Sequence, residues 1–306
     1  MRPLVVGTRG SALALAQAKS VKEKLEQFFP KQPFTLEVIS AQADQRPDAP
    51  FSAFRGEGIF VKELEIALQE GRIDVAVHSL KDVPLAQPAG LTLAAIVSRD
   101  DYRDAIVSRG DIPLEKLPSG VKIGTSSLRR KSQLLAHRND VVVEDIRGNV
   151  DTRLRKLDEG QYDAILLAAC GLMRLKLADR ITDFCDPEWM LPEPGQGALA
   201  VETRADDAET NATVGRLDDD MSRLCVSAER AFLEGLGGGC RVPIAALASL
   251  WGDRMRVDGA VIAPDGSRRL RDQITGPLDD ARRLGRDLAA RLARQGAGAI
   301  LAEAGG

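Results

Sequence analysis

Aromatic side chains are scarce in this chain: only 4% of its 306 residues are Phe, Trp or Tyr. Its cores must therefore be built from Leu, Ile, Val and Ala. Histidine is scarcer still, with only His78 and His137. The four cysteines, Cys170, Cys185, Cys225 and Cys240, form no C-x-x-C pair. That poverty of ligands argues against a structural zinc site and fits a reduced, cytoplasmic protein better than a disulfide framework. No apolar run approaches the roughly 18 residues of a membrane span. No targeting segment is visible, since Met1-Arg2-Pro3 leads straight into Leu4-Val5-Val6. Positive charge is not in excess either. A formal net charge of -3 gives no overall field for nucleic acid. Neither G-x-x-x-x-G-K-[ST] nor G-x-G-x-x-G occurs, which argues against a nucleotide.

What remains is ordinary globular material, 44% hydrophobic and 28% charged, long enough for two or three domains. Short apolar runs alternate with amphipathic stretches. Strands are expected at Leu4–Val6, Phe34–Ile39, Val75–His78, Leu91–Ile96, Ala105–Val107, Val121–Ile123, Val141–Ile146 and Ala164–Leu167. Helices are expected at Ser11–Phe28, Phe60–Glu70, Ser127–His137, Val150–Glu159 and Ala168–Leu177. This β-α-β alternation predicts an α/β protein with largely parallel sheets. Two echoes predict a pair of similar lobes with a cleft. Val6-Gly7-Thr8 returns as Ile123-Gly124-Thr125, and the helix end, glycine, aspartate and strand of Leu68–Ala76 return in Leu157–Ile165.

The last third differs. A helix at Ser222–Leu236 is followed by strands at Ala245–Leu250, Met255–Ile262 and Arg268–Thr275, then a helix from Leu278 to Arg294. That reads as a small antiparallel sheet with two helices. Pro192-Glu193-Pro194-Gly195-Gln196-Gly197 has the composition of a hinge or crossover.

Chemistry gathers where strands run into helices, the places at which open α/β sheets bind ligands. Ser11 in Thr8-Arg9-Gly10-Ser11 is a natural helix N-cap, and helix N-termini attract anions. Arg129 and Arg130 fall in the first turn of the helix after Thr125-Ser126-Ser127. There an arginine opposes the helix dipole. Such a pair is ordinarily a solvated basic face, unless an anion bridges it to the helix end. Arg147, Arg153 and Arg174 also follow strands. Guanidinium forks suit carboxylates or phosphates, so a small molecule with several acidic groups is expected. Lys81 and Asp82 end a strand just before Pro84, as a loop ion pair or as a carboxylate able to stabilise a cation or move a proton. His78 suits a core or orienting role better than metal ligation.

Cys240 follows Gly237-Gly238-Gly239 and precedes Arg241. The glycines put the thiol on a flexible tether, and the arginine favours its thiolate. The alternative is a small, inert loop residue. Cys170, inside an apolar run, reads as packing.

These residues together resemble the porphobilinogen deaminase (hydroxymethylbilane synthase) family, nearly end to end. The resemblance rests on Gly7–Ala14, Phe60–Glu65, Val77–Pro84, Gly124–Arg130, Leu191–Ala198 and Gly238–Ile244, in that order. It implies two lobes like those of periplasmic binding proteins around a cleft, plus a smaller C-terminal α+β domain. The corresponding division is 1–97 with 198–217, then 98–197, then 218–306. It further implies a dipyrromethane primer bound through a thioether to Cys240. Four porphobilinogens are added to it with loss of ammonia, and water releases hydroxymethylbilane for tetrapyrrole (heme- or chlorophyll-type) biosynthesis. Asp82 falls on the catalytic carboxylate, with Lys81 beside it. Ser11, Thr125, Ser127, Arg129, Arg130 and Arg147 fall on cofactor positions, and Arg9, Arg153 and Arg174 on substrate positions. A cytoplasmic monomer, with no metal, nucleic-acid or membrane partner, is expected. Two stretches depart from the family pattern: Arg55-Gly56-Glu57-Gly58, where Gly-Gly-Lys-Gly is usual, and Ala41-Gln42-Ala43-Asp44. Rival readings are a non-enzymatic clamp for an anionic ligand and a cysteine hydrolase, which would want a histidine base.

Overall fold

The computed structural model of the chain describes residues 2–40, 58, 61–238 and 242–304. Along the chain run β1 (Leu4–Thr8), α1 (Ala12–Phe28), β2 (Phe34–Val38), α2 (Lys62–Gln69), β3 (Val75–Ser79), β4 (Leu91–Val97), β5 (Asp104–Ser108), β6 (Lys122–Gly124), α3 (Leu128–His137), β7 (Val142–Glu144), α4 (Val150–Asp158), β8 (Ala164–Ala168), α5 (Ala169–Arg174) and β9 (Asp183–Phe184). Then come β10 (Leu199–Arg204), α6 (Ala208–Val214), α7 (Asp220–Gly235), β11 (Ile244–Trp251), β12 (Arg254–Ile262), β13 (Arg269–Pro277), α8 (Ala281–Arg294) and α9 (Ala297–Ala304).

The chain divides into two compact units, residues 1–100 with 197–223, and residues 101–196 with 224–306. The first holds a five-stranded sheet of order β2-β1-β3-β10-β4. Apolar clusters line both faces. One is built from Val6, Val21, Leu25, Val75 and Val201, the other from Leu64, Leu68, Ile73 and Ala76. Burial on both sides is why its strands read as continuous apolar runs.

The second unit holds a sheet of order β7-β6-β8-β5-β9, again with a core on each face. It also holds the antiparallel sheet β11-β12-β13. On that sheet α7, α8 and α9 bury Phe232, Leu288, Leu292 and Ile300.

The two five-stranded sheets repeat each other down to the register. Val6 and Gly7 pair with Val75 and Ala76; Ile123 and Gly124 pair with Ala164 and Ile165. Gly7 and Gly124 are required by close approach. A Cβ on Gly7 would lie 2.3 Å from Ile73 Cδ1, and one on Gly124 would lie 2.9 Å from Tyr162 Cδ1.

Each five-stranded sheet is largely parallel, as the sequence reading has it, with one antiparallel strand, since β10 in the first and β5 in the second pair antiparallel with both neighbours. Other features differ from that reading. Strand β10 was hidden because Glu202 and Thr203 interrupt its apolar pattern. The C-terminal sheet carries three helices, since Gly296, at φ 101, ends α8 and lets α9 fold back.

Candidate active site

In the first unit β1 and β3 are parallel neighbours, so their C-terminal ends leave the same edge of the sheet. Arg9 follows β1. Ser11 caps α1, its hydroxyl accepting from Ala14 N at 3.2 Å, which satisfies a donor the helix cannot. Strand β3 runs into a single 3-10 turn, Leu80–Asp82. The turn is pinned at its first residue: Leu80 is fully buried, and its amide donates to Ala198 O at 3.0 Å. Lys81 and Asp82 are left half-buried at the sheet edge. Behind them His78 Nε2 lies 3.1 Å from Glu202 Oε2, both groups buried. Burial, together with the nearby Glu202, pushes the Glu65 carboxyl up.

In the second unit β6, β7 and β8 are parallel neighbours. Their C-terminal ends lead to Thr125, Ser127, Arg129 and Arg130, then to Arg147 and Arg153, then to Arg174. Thr125 is buried, and its hydroxyl accepts from Ser127 N at 3.2 Å. Ser127 caps α3, accepting from Arg130 N at 3.4 Å.

Arg129 and Arg130 are not a solvated face; they are 3% and 6% exposed. Both turn onto one carboxylate. Asp104 accepts from Arg129 Nη1 at 2.6 Å and from Arg130 Nε at 3.0 Å. Burial alone would push the Asp104 carboxyl up. The two guanidinium charges outweigh it and hold the group well below the usual carboxylate range. Two cations share one anion, so a net positive charge stays buried. Among the described residues, Arg129 Nε and Nη2 are buried with no hydrogen-bond partner. Buried donors without partners are costly, and an acidic group would satisfy them.

Close by, burial and the charges of Arg130 and Arg147 hold the Arg153 guanidinium down to about 10. Arg153 Nε donates to Gly148 O at 2.8 Å, across the turn where Gly148 takes φ 107. Arg130, Arg147 and Arg153 therefore form one basic cluster. Arg174, half-buried, ends α5, the helix that follows β8, the strand paired with β6.

Gly239, Cys240 and Arg241 lie outside the described residues, as do the departures at 41–44 and 55–57. The root of the cysteine loop is described. Gly237 takes φ 66, and Gly238 donates to Leu233 O at 3.0 Å. A Cβ on Gly238 would come within 2.5 Å of Leu233 Cδ1. These glycines thus end the helix as well as introduce the thiol.

Sequence reasoning missed Asp104, Gln196, Glu202 and Glu229, all buried. Asp104 was legible as a charge at the mouth of the apolar run Ala105-Ile106-Val107. Gln196 stood inside a segment read as a hinge or crossover and as part of the resemblance, with no role assigned to it. The described residues offer no cluster of His, Cys, Asp or Glu that could hold a metal ion, and no helix among them is long and apolar enough to cross a membrane.

Residues 4–212 match the family model of the porphobilinogen deaminase, dipyromethane cofactor binding domain, and residues 223–294 match that of the porphobilinogen deaminase C-terminal domain. The porphobilinogen deaminase of Thermus thermophilus is 48% identical over 99% of this chain and 99% of its own. That of Roseiflexus sp. is 48% identical over 98% of each. A periplasmic substrate-binding protein of an ABC transporter from Coxiella burnetii aligns with 70% of this chain and 91% of its own at 14% identity, with a TM-score of 0.43. With both domains matched and relatives near half identity along the whole length, the chain belongs to the porphobilinogen deaminase family of transferases, which carry a dipyrromethane cofactor-binding domain.

Proposed function

We propose that this chain joins four porphobilinogen molecules in turn to a dipyrromethane held on Cys240, releases ammonia at each addition, and frees hydroxymethylbilane by hydrolysis. The observation that carries the reading is the Arg129–Arg130–Asp104 cluster. It is a buried, net-positive site whose Arg129 Nε and Nη2 still need acceptors. Every ring of substrate and primer carries an acetate and a propionate, which are such acceptors.

Arg129, Arg130, Arg147, Ser11, Thr125 and Ser127 are assigned to the acids of the bound dipyrromethane. Arg9, Arg153 and Arg174 are assigned to those of incoming porphobilinogen and the growing chain. A planar fork fixes a carboxylate in direction as well as distance. When bound, the dipyrromethane supplies the carbon nucleophile to which new rings are joined and keeps the product attached. Cys240 is assigned to its thioether. Cys170, Cys185 and Cys225 are buried thiols, and burial pushes the Cys185 thiol up, away from the reactive thiolate.

Loss of ammonia from porphobilinogen breaks a C–N bond, the electron pair leaving with nitrogen, and puts positive charge on the pyrrole. Asp82 is assigned to hold the pyrrole N–H and stabilise that charge in a partly dry site. Lys81 is assigned beside it to a substrate carboxylate. The separate sheet cores support dividing the chain into residues 1–97 with 198–217, residues 98–197 and residues 218–306. A cytoplasmic monomer remains our reading of its state in the cell.

Intact mass tests the proposal. The purified chain should exceed its sequence mass by two linked pyrroles, and Cys240→Ser should lose the increment. A fully active chain of unmodified mass would overturn the assignment.

A further inference from the structure

Within the second unit, the segment leading to Gln196 is bound to two structures the reaction needs. Gln133 clasps it at one end, donating to Leu191 O at 2.9 Å and accepting from Leu191 N at 2.9 Å. Arg129 Nη1 donates to the same carbonyl at 2.8 Å. At the other end, adjacent residues reach different partners. Gln196 Nε2 donates to Asp104 Oδ1 at 3.0 Å and to Tyr102 O at 2.8 Å, reaching the carboxylate that aims Arg129 and Arg130. Gly195 N donates to Glu229 Oε2 at 2.7 Å, and Glu229 Oε1 accepts from Ala248 N of β11 at 2.9 Å. Glu229 belongs to α7, the helix that runs to the glycines before Cys240. Gln196 and Glu229 are both fully buried.

We infer that Glu229 and Gln196 are positioning residues for loading of the primer, holding the root of the cysteine loop in fixed relation to the Arg129–Arg130 pair. The inference rests on the reading that Cys240 carries the primer and these arginines its acids. A group tied at both ends gains the second attachment as an intramolecular event. Its rate then depends on how well the two anchors are held relative to one another.

The chemistry of Glu229 fits this task better than simple packing. Leu288, Leu292 and Phe232 already fasten the C-terminal helices to their sheet. A carboxylate buried in such a core is expensive unless it is satisfied, and here the Gly195 and Ala248 amides satisfy it. The Gly195 and Ala248 amides each meet a different oxygen of Glu229. Glutamine has only one, and its NH2 would face a donor.

The experiment follows loading by intact mass in primer-free chains incubated with porphobilinogen at several concentrations. Glu229→Gln should lower the maximal loading rate by about tenfold or more, with the half-saturating concentration within about twofold of the wild type, because anchoring and not acid binding is weakened; Gln196→Met, which also removes a partner of Arg130, should lower the maximal rate by a similar factor. Leu288→Ala, which destabilises the same core without touching the segment, should load at the wild-type rate. If Glu229→Gln is not recovered folded, Gln196→Met decides. Loading of the folded variants at the wild-type rate, an equal slowing in Leu288→Ala, or a rise in half-saturating concentration with unchanged maximal rate overturns the inference. Failure of the underlying reading looks different: the wild-type chain itself gains no mass, or Cys240→Ser gains it.

Discussion

Asp74 and Asp163 do the same work in two different sheets. The Asp74 carboxylate accepts from Val5 N at 3.0 Å, and the Asp163 carboxylate accepts from Lys122 N at 2.8 Å. In each case the aspartate's own amide returns the bond, to Val5 O at 2.9 Å and to Lys122 O at 2.8 Å. A side chain thus splices the entry of β3 to β1 and the entry of β8 to β6. The pairing is the structural counterpart of the sequence echo at Ile73-Asp74-Val75 and Tyr162-Asp163-Ala164.

Asp74 makes acid sensitivity testable. Burial pushes its carboxyl up, but hydrogen bonds from Arg2, Val5 N and Arg204 outweigh that and hold it at about 2. A carboxyl depressed in the fold adds stability above its unfolded value, and this is lost as pH falls toward the folded value. Discounted for the exposed Arg2, the contribution is about 1–2 kcal/mol. Between pH 4 and pH 2, wild-type stability should therefore fall more steeply than that of Asp74→Asn. Parallel urea midpoints across that range would refute the assignment.

Asp104 carries a larger penalty. Asp104→Ala leaves two buried guanidiniums without their anion and should cost about 3–5 kcal/mol. Denaturant unfolding measures it. Asp104→Asn should lose less, because the amide oxygen still accepts. A cost below about 1 kcal/mol for the alanine variant would mean that water reaches the pair.

Asp82→Asn separates catalysis from architecture. The Leu80–Asp82 turn is anchored by Leu80, so the fold and the primer mass should both survive. Turnover should drop by at least about 100-fold, the low end for a positioned catalytic group, and Asp82→Glu should retain more. Near-normal turnover in the asparagine variant would reduce Asp82 to a loop residue.

Arg153 should show stability and function pulling apart. Its depressed value means that the fold disfavours its charge. The sign is opposite to that of Asp74: the cation destabilises at every pH below about 10. Arg153→Gln should raise the unfolding free energy at pH 7 by about 1 kcal/mol while weakening substrate use. Because charge grows with every added ring, native mass spectrometry after a substrate pulse should show this variant stalled with one, two or three rings. Arg129→Lys, which loses the planar fork at the proposed primer site, should instead remain partly unloaded. Wild-type ladders from both variants would overturn these assignments.

Most of this protein was determined locally. The α/β alternation, the N-caps at Ser11 and Ser127, the glycines before Cys240 and the repeated helix–Gly–Asp–strand unit are short-range signals, written in residues a few positions apart. The arginines after β6, β7 and β8 were legible as a class for the same reason. Tertiary structure alone decided which of them are buried and onto what. Arg129 and Arg130 look solvated by helical position, and only the arrival of Asp104 from a strand antiparallel to β8 turns them inward. Glu202 broke the period of β10 because its partner, His78, comes from a strand far away in sequence. Glu229 reads as one more charge on an amphipathic helix until Gly195 and Ala248 bring their amides to it. A buried charge has to be satisfied by whatever folds against it, and sequence spacing carries no record of a partner 19 to 124 residues distant.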